Sequence, residues 1–85
     1  MIGQFMFYIY ILQSKLDNKL YTGFTGNLKK RLFEHNSGGV TSTKNRRPLE
    51  LIYYEAYKEK SDALKREKFL KTTKGKLQLR KQISL

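Results

Sequence analysis

Glu67 is a charged residue at a position where the pattern of its segment predicts an apolar one. Residues 62–71 have the periodicity of an amphipathic helix, and on a helical wheel Glu67 falls between Ala63 and Leu64, inside the apolar stripe. Burying a carboxylate is costly unless a positive charge compensates it. That charge comes either from a Lys or Arg side chain such as Arg31 or from a divalent cation, unless the helix bends enough to expose Glu67 at the surface. Mg²⁺ suits such a position, because it often takes one or two carboxylates and fills its coordination shell with water and phosphate oxygens.

Arg31 and His35 are a second pair that could do chemistry on a phosphate. They are four residues apart in a predicted helix over residues 28–36, along one edge of an apolar stripe that Leu28 and Leu32 mark. An arginine can stabilise negative charge as a phosphodiester is attacked, and a histidine can take a proton from water. Two structural roles remain open as well. Arg31 can extend its alkyl stem over the surface, and His35 can interact with the dipole at the end of the helix.

The tyrosines Tyr8, Tyr10 and Tyr21 add hydroxyl groups that could position or activate water. A single tyrosine is usually a core or surface residue, and with a reference pKa of about 10 it is a poor base at neutral pH unless nearby cations lower that pKa. Tyr10 and Tyr21 belong to a predicted β-hairpin. If its turn is centred on Asp17-Asn18, residues whose numbers sum to 35 face each other, and even positions of the first strand share a sheet face with odd positions of the second. Tyr10 and Tyr21 then point to the same side.

Composition and motifs exclude several other kinds of site. The chain has one histidine and no cysteine, so it cannot form a zinc site of the Cys/His type. It also has no glycine-rich phosphate loop and no Ser-His-Asp set. We therefore expect no small-molecule cofactor.

Three predicted strands and a basic loop position these residues. Aromatic and β-branched runs predict strands over residues 5–12, 20–24 and 49–57. Residues 37–48 are rich in Gly, Ser, Thr, Lys and Arg and have no strand or helix periodicity, which is typical of a loop. We expect this loop to contact phosphates.

Helices are predicted between and after the strands. The helix over residues 28–36 has Asn27 or Thr25 as its N-cap, and the helix over residues 62–71 has Ser61. A further short amphipathic helix is predicted after Gly75. A β-hairpin and a third strand, together with these helices, give an α+β composition.

Length and charge bound the size of the protein and its partners. A chain of 85 residues fits a single domain, residues 1–85, which buries only about 60–65% of the surface of its unfolded chain. The formal charge is +11, and residues 58–85 alone carry a net +7. Such a field attracts polyanions, so nucleic acid is the first candidate partner and an anionic membrane surface the second. The membrane alternative is weaker, because the last predicted helix has a small apolar face.

Two features bear on localisation. The absence of cysteine fits a reduced, cytoplasmic setting. The apolar run over residues 5–12 is too short to span a bilayer and has neither a basic leader nor a small-residue cleavage site. We interpret it as a buried strand and expect no membrane partner.

The order and spacing of the candidate residues resemble those of a known family. Tyr8-Ile9-Tyr10 is followed after ten residues by Tyr21-Thr22-Gly23, then by a segment from Asn27 to His35 and later by Ala63 to Glu67. This set resembles the GIY-YIG nuclease superfamily, in particular its small single-domain bacterial members, which are related to the catalytic module of excision-repair nucleases. The resemblance covers nearly the whole chain, with a core from about residue 6 to residue 79.

The resemblance implies a fold and a role for each residue. The implied fold is a small three-stranded antiparallel β-sheet flanked by helices. Tyr10 and Tyr21 would be the tyrosines of the first and second motifs, and either would position or activate the attacking water. Arg31 would stabilise charge in the transition state, His35 would assist the base, and Glu67 would hold one divalent cation, usually Mg²⁺.

The chain departs from the family pattern at a few positions. Tyr8 replaces the glycine of the first motif and Thr22 the isoleucine of the second, and both are structural positions. Some members have a lysine where this chain has Phe24. Some have a late asparagine near the metal, for which only Gln78 and Gln82 are available here.

The leading hypothesis is a metal-dependent endonuclease that cleaves DNA with one Mg²⁺, or Mn²⁺, on Glu67. RNA is the alternative substrate. The expected phosphate contacts are basic residues in the first helix, the loop and the second long helix: Lys29, Lys30, Lys44, Arg46, Arg47, Lys65 and Lys68. The rival hypothesis is a noncatalytic DNA- or RNA-binding module with the same fold, which uses Lys44, Arg46, Arg47 and the basic tail to bind phosphates.

Overall fold

The computed structural model describes residues 5–85, and the first four residues of the predicted domain lie outside this range. Three strands, three α-helices and one short 3₁₀ helix make up the described chain. In order, the strands and helices are β1 (Phe7–Ser14), β2 (Leu20–Thr25), α1 (Leu28–Asn36), the 3₁₀ helix (Lys44–Arg46), β3 (Leu49–Tyr57), α2 (Lys60–Leu70) and α3 (Thr73–Gln82). Within residues 5–85, no helix has both the length and the apolar character needed to cross a membrane.

The three strands form one antiparallel sheet in the order β2-β1-β3. The central strand, β1, is buried from Ile9 to Leu12, because helices cover both of its faces. Strands that are buried on both faces read as continuous apolar runs, which is the pattern of this segment. The predicted α+β fold, with a three-stranded antiparallel sheet flanked by helices, is confirmed.

The side chains of β1 alternate between two apolar clusters. Ile9 and Ile11 pack with Ala63 and Leu70 of α2 and with Leu79 of α3. On the opposite face, Tyr10 and Leu12 pack with Leu49 and with the partly buried residues Tyr21, Leu28, Leu32 and Leu51, so α1 covers this face. Tyr10 and Tyr21 therefore share a sheet face, as predicted.

The predicted hairpin register is wrong by two residues. Tyr10 pairs with Gly23 and Leu12 with Tyr21, so the numbers of paired residues sum to 33. The turn lies earlier than predicted because Asn18 takes a left-handed conformation, with φ of 60°, and donates its backbone N–H to Ser14 O. The parity rule holds because 33 and 35 are both odd.

Helix α1 has the predicted bounds. Asn27 caps its N-terminus, where the side-chain oxygen accepts a hydrogen bond from Lys30 N. Gly38, with φ of +87°, follows its C-terminus. These two residues set the ends of the helix that carries Arg31 and His35.

The other helix starts differ from the predictions. Helix α2 begins at Lys60 after an extended Glu59, so Ser61 lies within its first turn and is not the N-cap. Helix α3 begins at Thr73, before Gly75, because the Thr72 side chain accepts a hydrogen bond from Gly75 N.

Two smaller boundaries also shift. Strand β1 runs from Phe7 to Ser14 and not over residues 5–12. The loop over residues 37–48 contains the 3₁₀ helix Lys44–Arg46, too short to leave a periodic pattern in the sequence.

Gly75 gives a test of the packing between α2 and α3. A Cβ atom on Gly75 would overlap the backbone carbonyl group of Phe69. Unlike the end of a flexible side chain, this group cannot move aside without shifting the helix. We expect Gly75→Ala to lower the free energy of unfolding by about 1–3 kcal/mol. The matched control is Gly26→Ala, which has open space around its Cβ position and should change stability by less than about 0.5 kcal/mol. Urea unfolding followed by circular dichroism compares the two, and equal stabilities would contradict this account of α3.

Candidate active site

Tyr10 lies at the centre of the candidate site. Its position on β1 points the side chain across Gly23 of β2, and a Cβ atom at position 23 would overlap the Tyr10 ring and hydroxyl group. Tyr10 is only 1% exposed, so its hydroxyl group needs a partner inside the protein. Gly23 thus makes room for the Tyr10 ring.

His35 is that partner. The last turn of α1 holds its ring in the interior, where the residue is completely buried. Nε2 of His35 lies 2.8 Å from the Tyr10 hydroxyl oxygen, and Nδ1 lies 2.8 Å from Oγ1 of Thr43. The ring also meets Tyr21 edge to face, with 5.1 Å between centroids. The structure thus brings Tyr10, Tyr21 and His35 together as one contiguous group.

Burial keeps His35 uncharged. It lowers the pKa of His35 below its usual value of about 6.5, the positive charge of Arg31 lowers it further, and Glu34 partly offsets both. At neutral pH His35 is therefore neutral and able to accept a proton. The sequence left open a structural role for His35, in which its charge interacts with the dipole of helix α1. The ring instead forms hydrogen bonds to Tyr10 and Thr43.

Tyr10, by contrast, keeps its proton. Burial raises its pKa above 10, and the adjacent Arg31 guanidinium offsets only part of that increase. Neighbouring cations do not make Tyr10 a tyrosinate at neutral pH. Its hydroxyl proton can leave only toward a group that accepts it, and His35 is the acceptor in contact.

Arg31 lies at the outer side of the group. Its guanidinium forms an ion pair with Glu34 at 3.0 Å, and both side chains are more than a third exposed. The neighbouring Tyr10 hydroxyl group, and then Glu34, raise the pKa of Arg31, so its charge is permanent. An open cleft of about 390 Å³ adjoins it, lined by Phe24, Thr25, Gly26, Asn27, Lys30, Arg31 and Glu34. The cleft thus offers a phosphate two positive side chains, Lys30 and Arg31.

Glu67 lies on α2 between the buried residues Ala63 and Leu70, and its side chain is 21% exposed. Its nearest positive partner is Lys71, with 3.1 Å between Nζ and Oε2. An ion pair with Arg31, one of the predicted alternatives, does not form, because Arg31 pairs with Glu34. The charge of Glu67 is one of the smaller causes that raise the pKa of Tyr10, so the two residues share an electrostatic environment.

A second carboxylate shows what a purely structural role looks like in this protein. Glu55 of β3 accepts hydrogen bonds from Tyr53 and Tyr57 and a bidentate pair from Arg66. Burial alone would raise its pKa, but Arg66 and the two hydroxyl groups outweigh burial and hold that pKa below its usual value. Both oxygens of Glu55 are occupied, whereas Glu67 has one ion pair and partial access to solvent.

Glu67 could serve as a single ligand of a weakly bound divalent cation, but not as part of a site built from several protein ligands. Residues 5–85 contain no group of three or more His, Asp or Glu side chains that could together hold a metal ion. A single, partly exposed carboxylate is nevertheless a ligand that Mg²⁺ accepts when water and phosphate supply the other oxygens. Only Glu67 of the predicted site residues would contact such an ion.

The residues predicted to contact phosphates differ in how firmly the fold holds their side chains. Lys29, Lys30, Lys44, Lys65 and Lys68 are exposed. Arg46 is held by the fold, since its guanidinium lies 3.5 Å from both Asp17 and the Leu20 carbonyl oxygen. Arg47 donates from Nε to the Lys44 carbonyl oxygen at 2.7 Å and remains exposed. The five lysines are therefore the freest to meet a polyanion.

Thr43 is the residue that the sequence analysis missed. It is completely buried and completes the chain of hydrogen bonds from Tyr10 through His35. Three hydroxyl residues stand in a row at positions 41–43, and nothing in the sequence sets the third apart. The only available signal was its place in a polar loop next to the helix that carries His35.

Comparisons with known proteins identify related chains. A sequence model of the GIY-YIG catalytic domain matches residues 6–81. A UPF0213 protein from Staphylococcus saprophyticus is 50% identical over 66 residues, which cover 76% of this chain and 79% of the relative. A UPF0213 protein from Clostridium perfringens is 47% identical over 77 residues, covering 87% of this chain and 82% of the relative. Their name states no activity.

A solved structure supports the fold. The solution NMR structure of a UPF0213 protein from Bacillus halodurans is similar to this one, with a TM-score of 0.56 and 35% sequence identity. The match covers 87% of this chain and 81% of the other.

The buried, neutral state of His35 predicts a dependence of stability on pH. Because the pKa of His35 is lower in the folded protein than in the unfolded chain, the unfolded chain takes up a proton first as the pH falls below about 6.5. The stabilisation that His35 contributes is therefore full above that pH and is lost as the pH falls toward the folded pKa. We expect the difference in unfolding free energy between wild type and His35→Gln to shrink from pH 7 to pH 5. Urea titrations at both pH values measure it, and a constant difference would rule out a lowered pKa.

Proposed function

This chain belongs to the GIY-YIG catalytic domain family, and from that membership we propose that it is a metal-dependent endonuclease that hydrolyses DNA phosphodiester bonds. Nuclease activity on nucleic acid is the usual activity of the family. The observation that carries the proposal is the buried hydrogen bond between Tyr10 and a neutral His35, next to the guanidinium of Arg31.

Tyr10 and His35 together are the proposed proton acceptor for the attacking water. Water gives a proton to the Tyr10 hydroxyl oxygen while Tyr10 passes its own proton to Nε2 of His35, so a free tyrosinate never forms. The water oxygen then makes the new bond to phosphorus as the bond to the leaving ester oxygen breaks. This relay uses His35 in its neutral state, and it explains how a tyrosine with a raised pKa serves at neutral pH.

Arg31 is the proposed partner of the phosphate. Its present partner, Glu34, forms an ion pair that is more than a third exposed, and such pairs contribute only about 0–1 kcal/mol. A phosphate oxygen in the adjoining cleft could therefore replace Glu34 at little cost. As the phosphorus gains negative charge, the guanidinium would stabilise it more strongly than it stabilises the ground state.

Glu67 is the proposed ligand of one Mg²⁺ or Mn²⁺ ion. A bound divalent cation would add positive charge where the phosphate and leaving oxygen become negative. The exposed lysines of α1, the loop and α2 would hold the DNA backbone, and their long-range field would speed association. Tyr21, which is partly exposed and packs against both Tyr10 and His35, would orient the water.

A noncatalytic nucleic-acid-binding module is the second candidate. The ion pair between Glu67 and Lys71 favours it, since that pair already compensates the carboxylate without a metal. The same basic surface would then bind DNA or RNA through phosphates alone. Both candidates share strong salt dependence of binding, and they differ in whether a metal binds at Glu67.

Cleavage of supercoiled plasmid tests the enzyme. With Mg²⁺ or Mn²⁺ present, we expect wild type to nick the plasmid. Arg31→Ala should reduce the rate about 100- to 1000-fold, and Tyr10→Phe should reduce it about 100-fold or more. Glu67→Gln should remove the response to added metal.

Two exposed residues away from the site supply matched controls. Arg80→Ala and Glu50→Gln make the same chemical changes at exposed positions of α3 and β3 and should cleave at close to the wild-type rate at saturating DNA. If wild type cleaves no faster than Arg31→Ala and Glu67→Gln over a full titration of both metals, the protein is not a nuclease of this kind.

Removing Lys71 tests the metal ligand directly. Because Lys71 competes for the Glu67 carboxylate, Lys71→Met should tighten Mn²⁺ binding by about 2- to 5-fold, the range expected for a partly exposed ion pair. Paramagnetic broadening of α2 amide signals in NMR spectra measures the affinity. Lys60→Met, at the start of the same helix, is the control. If Mn²⁺ broadens no α2 signals in wild type, Lys71→Met or Lys60→Met, the result favours the noncatalytic module.

A further inference from the structure

The hydrogen-bond chain that starts at Tyr10 does not end at His35. We propose that Thr43 is a positioning residue: its hydroxyl oxygen accepts a hydrogen bond from Nδ1–H of His35, which leaves Nε2 unprotonated and aimed at the Tyr10 hydroxyl group. The two distances in this chain are both 2.8 Å. The tautomer of the ring follows from counting donors and acceptors.

With the proton on Nδ1, every donor in the chain has an acceptor. Tyr10 donates to Nε2, Nδ1–H donates to Thr43, and the Thr43 hydroxyl group points toward the Val40 carbonyl oxygen at 3.5 Å. With the proton on Nε2, the ring would donate to Tyr10 and the Tyr10 proton would lose its acceptor. No other described residue accepts a hydrogen bond from the Tyr10 hydroxyl group. A buried donor without an acceptor costs about 1–3 kcal/mol, which favours the Nδ1–H tautomer.

The backbone holds Thr43 at a fixed place under the ring. Thr43 N donates to Val40 O at 3.1 Å, and Thr43 O accepts from Arg46 N at 2.9 Å. The 3₁₀ helix that follows is tied to the sheet, since Ser14 Oγ donates to the Arg46 carbonyl oxygen at 2.6 Å. Because both Thr43 and its neighbours are anchored, the hydroxyl group sets the orientation of the imidazole and does not merely follow it.

The consequence for catalysis rests on the proposed nuclease function. A ring with a free Nε2 lone pair can take the Tyr10 proton, whereas a ring protonated at Nε2 cannot. After the transfer, His35 is an imidazolium whose Nδ1–H still donates to Thr43, so the same contact stabilises both states of the ring. Thr43 acts through His35 and has no contact with the reacting atoms.

The single histidine of this chain makes the tautomer directly measurable. Protein labelled with ¹⁵N-histidine gives one pair of ring nitrogen signals, whose shifts identify the protonated nitrogen. We expect the proton on Nδ1 in wild type and in Thr43→Ser, which keeps the hydroxyl group. In Thr43→Val, which has nearly the same shape without the hydroxyl group, the Nε2–H tautomer should become populated. Thr43→Ala serves as a second variant without the hydroxyl group if the valine protein does not fold.

Plasmid nicking gives the second readout. Thr43→Val should cleave about tenfold more slowly or worse, by analogy with the hydrogen-bond partners that orient metal-bound histidines, and Thr43→Ser should stay within about threefold of wild type. A proton on Nε2 in wild type, or an unchanged tautomer in the proteins without the hydroxyl group, would overturn the proposal. An absence of cleavage by wild type would instead refute the nuclease function, while the nitrogen shifts would still decide the role of Thr43.

Discussion

Burial of the central strand on both faces is the constraint on which the rest of this structure depends. Strand β1 lies under α1 on one side and under α2 and α3 on the other, so its buried polar side chains need hydrogen-bond partners within the protein. The two buried hydroxyl groups of the strand, on Tyr10 and Ser14, therefore bond within the protein. Tyr10 bonds to His35, and Ser14 donates to the Arg46 carbonyl oxygen.

These two bonds organise one region. His35 bonds in turn to Thr43, and Arg46 follows three residues after Thr43, so both buried hydroxyl groups of β1 are linked to the same turn of the chain. A loop that the sequence leaves without any periodic pattern is thereby held in one conformation. The candidate site is thus a product of core packing, since the groups that would move a proton are also the groups that satisfy the buried strand.

The sequence predicted best what depends on local chemistry. Helix α1 and strand β3 have the predicted bounds, because the Asn27 cap and the aromatic run after Pro48 are strong local signals. The shared face of Tyr10 and Tyr21 was predicted despite the wrong register, because only the parity of the pairing matters. The start of α3 was predicted too late because the Thr72 side chain caps the helix, so that Gly75 lies inside its first turn and not before it.

The site shows the same division between local and long-range information. Glu67 stood out from its helix, and its partner Lys71 was available four residues ahead, where a helical pair is expected. The link from His35 to Thr43 instead crosses a glycine-containing turn whose path depends on the fold, so no spacing rule finds it. Glu55 went unnoticed for a similar reason, because Arg66 comes to it from another element.

The contact between Tyr10 and Gly23 has a consequence for how this chain can evolve. The ring of one occupies the space that any side chain of the other would need, across two neighbouring strands. Any residue other than glycine at position 23 would therefore clash with position 10 for as long as that position carries a large aromatic ring. Substitutions at the two positions are therefore coupled. Replacement of Tyr10 by a smaller residue would have to come before a side chain could be accepted at position 23.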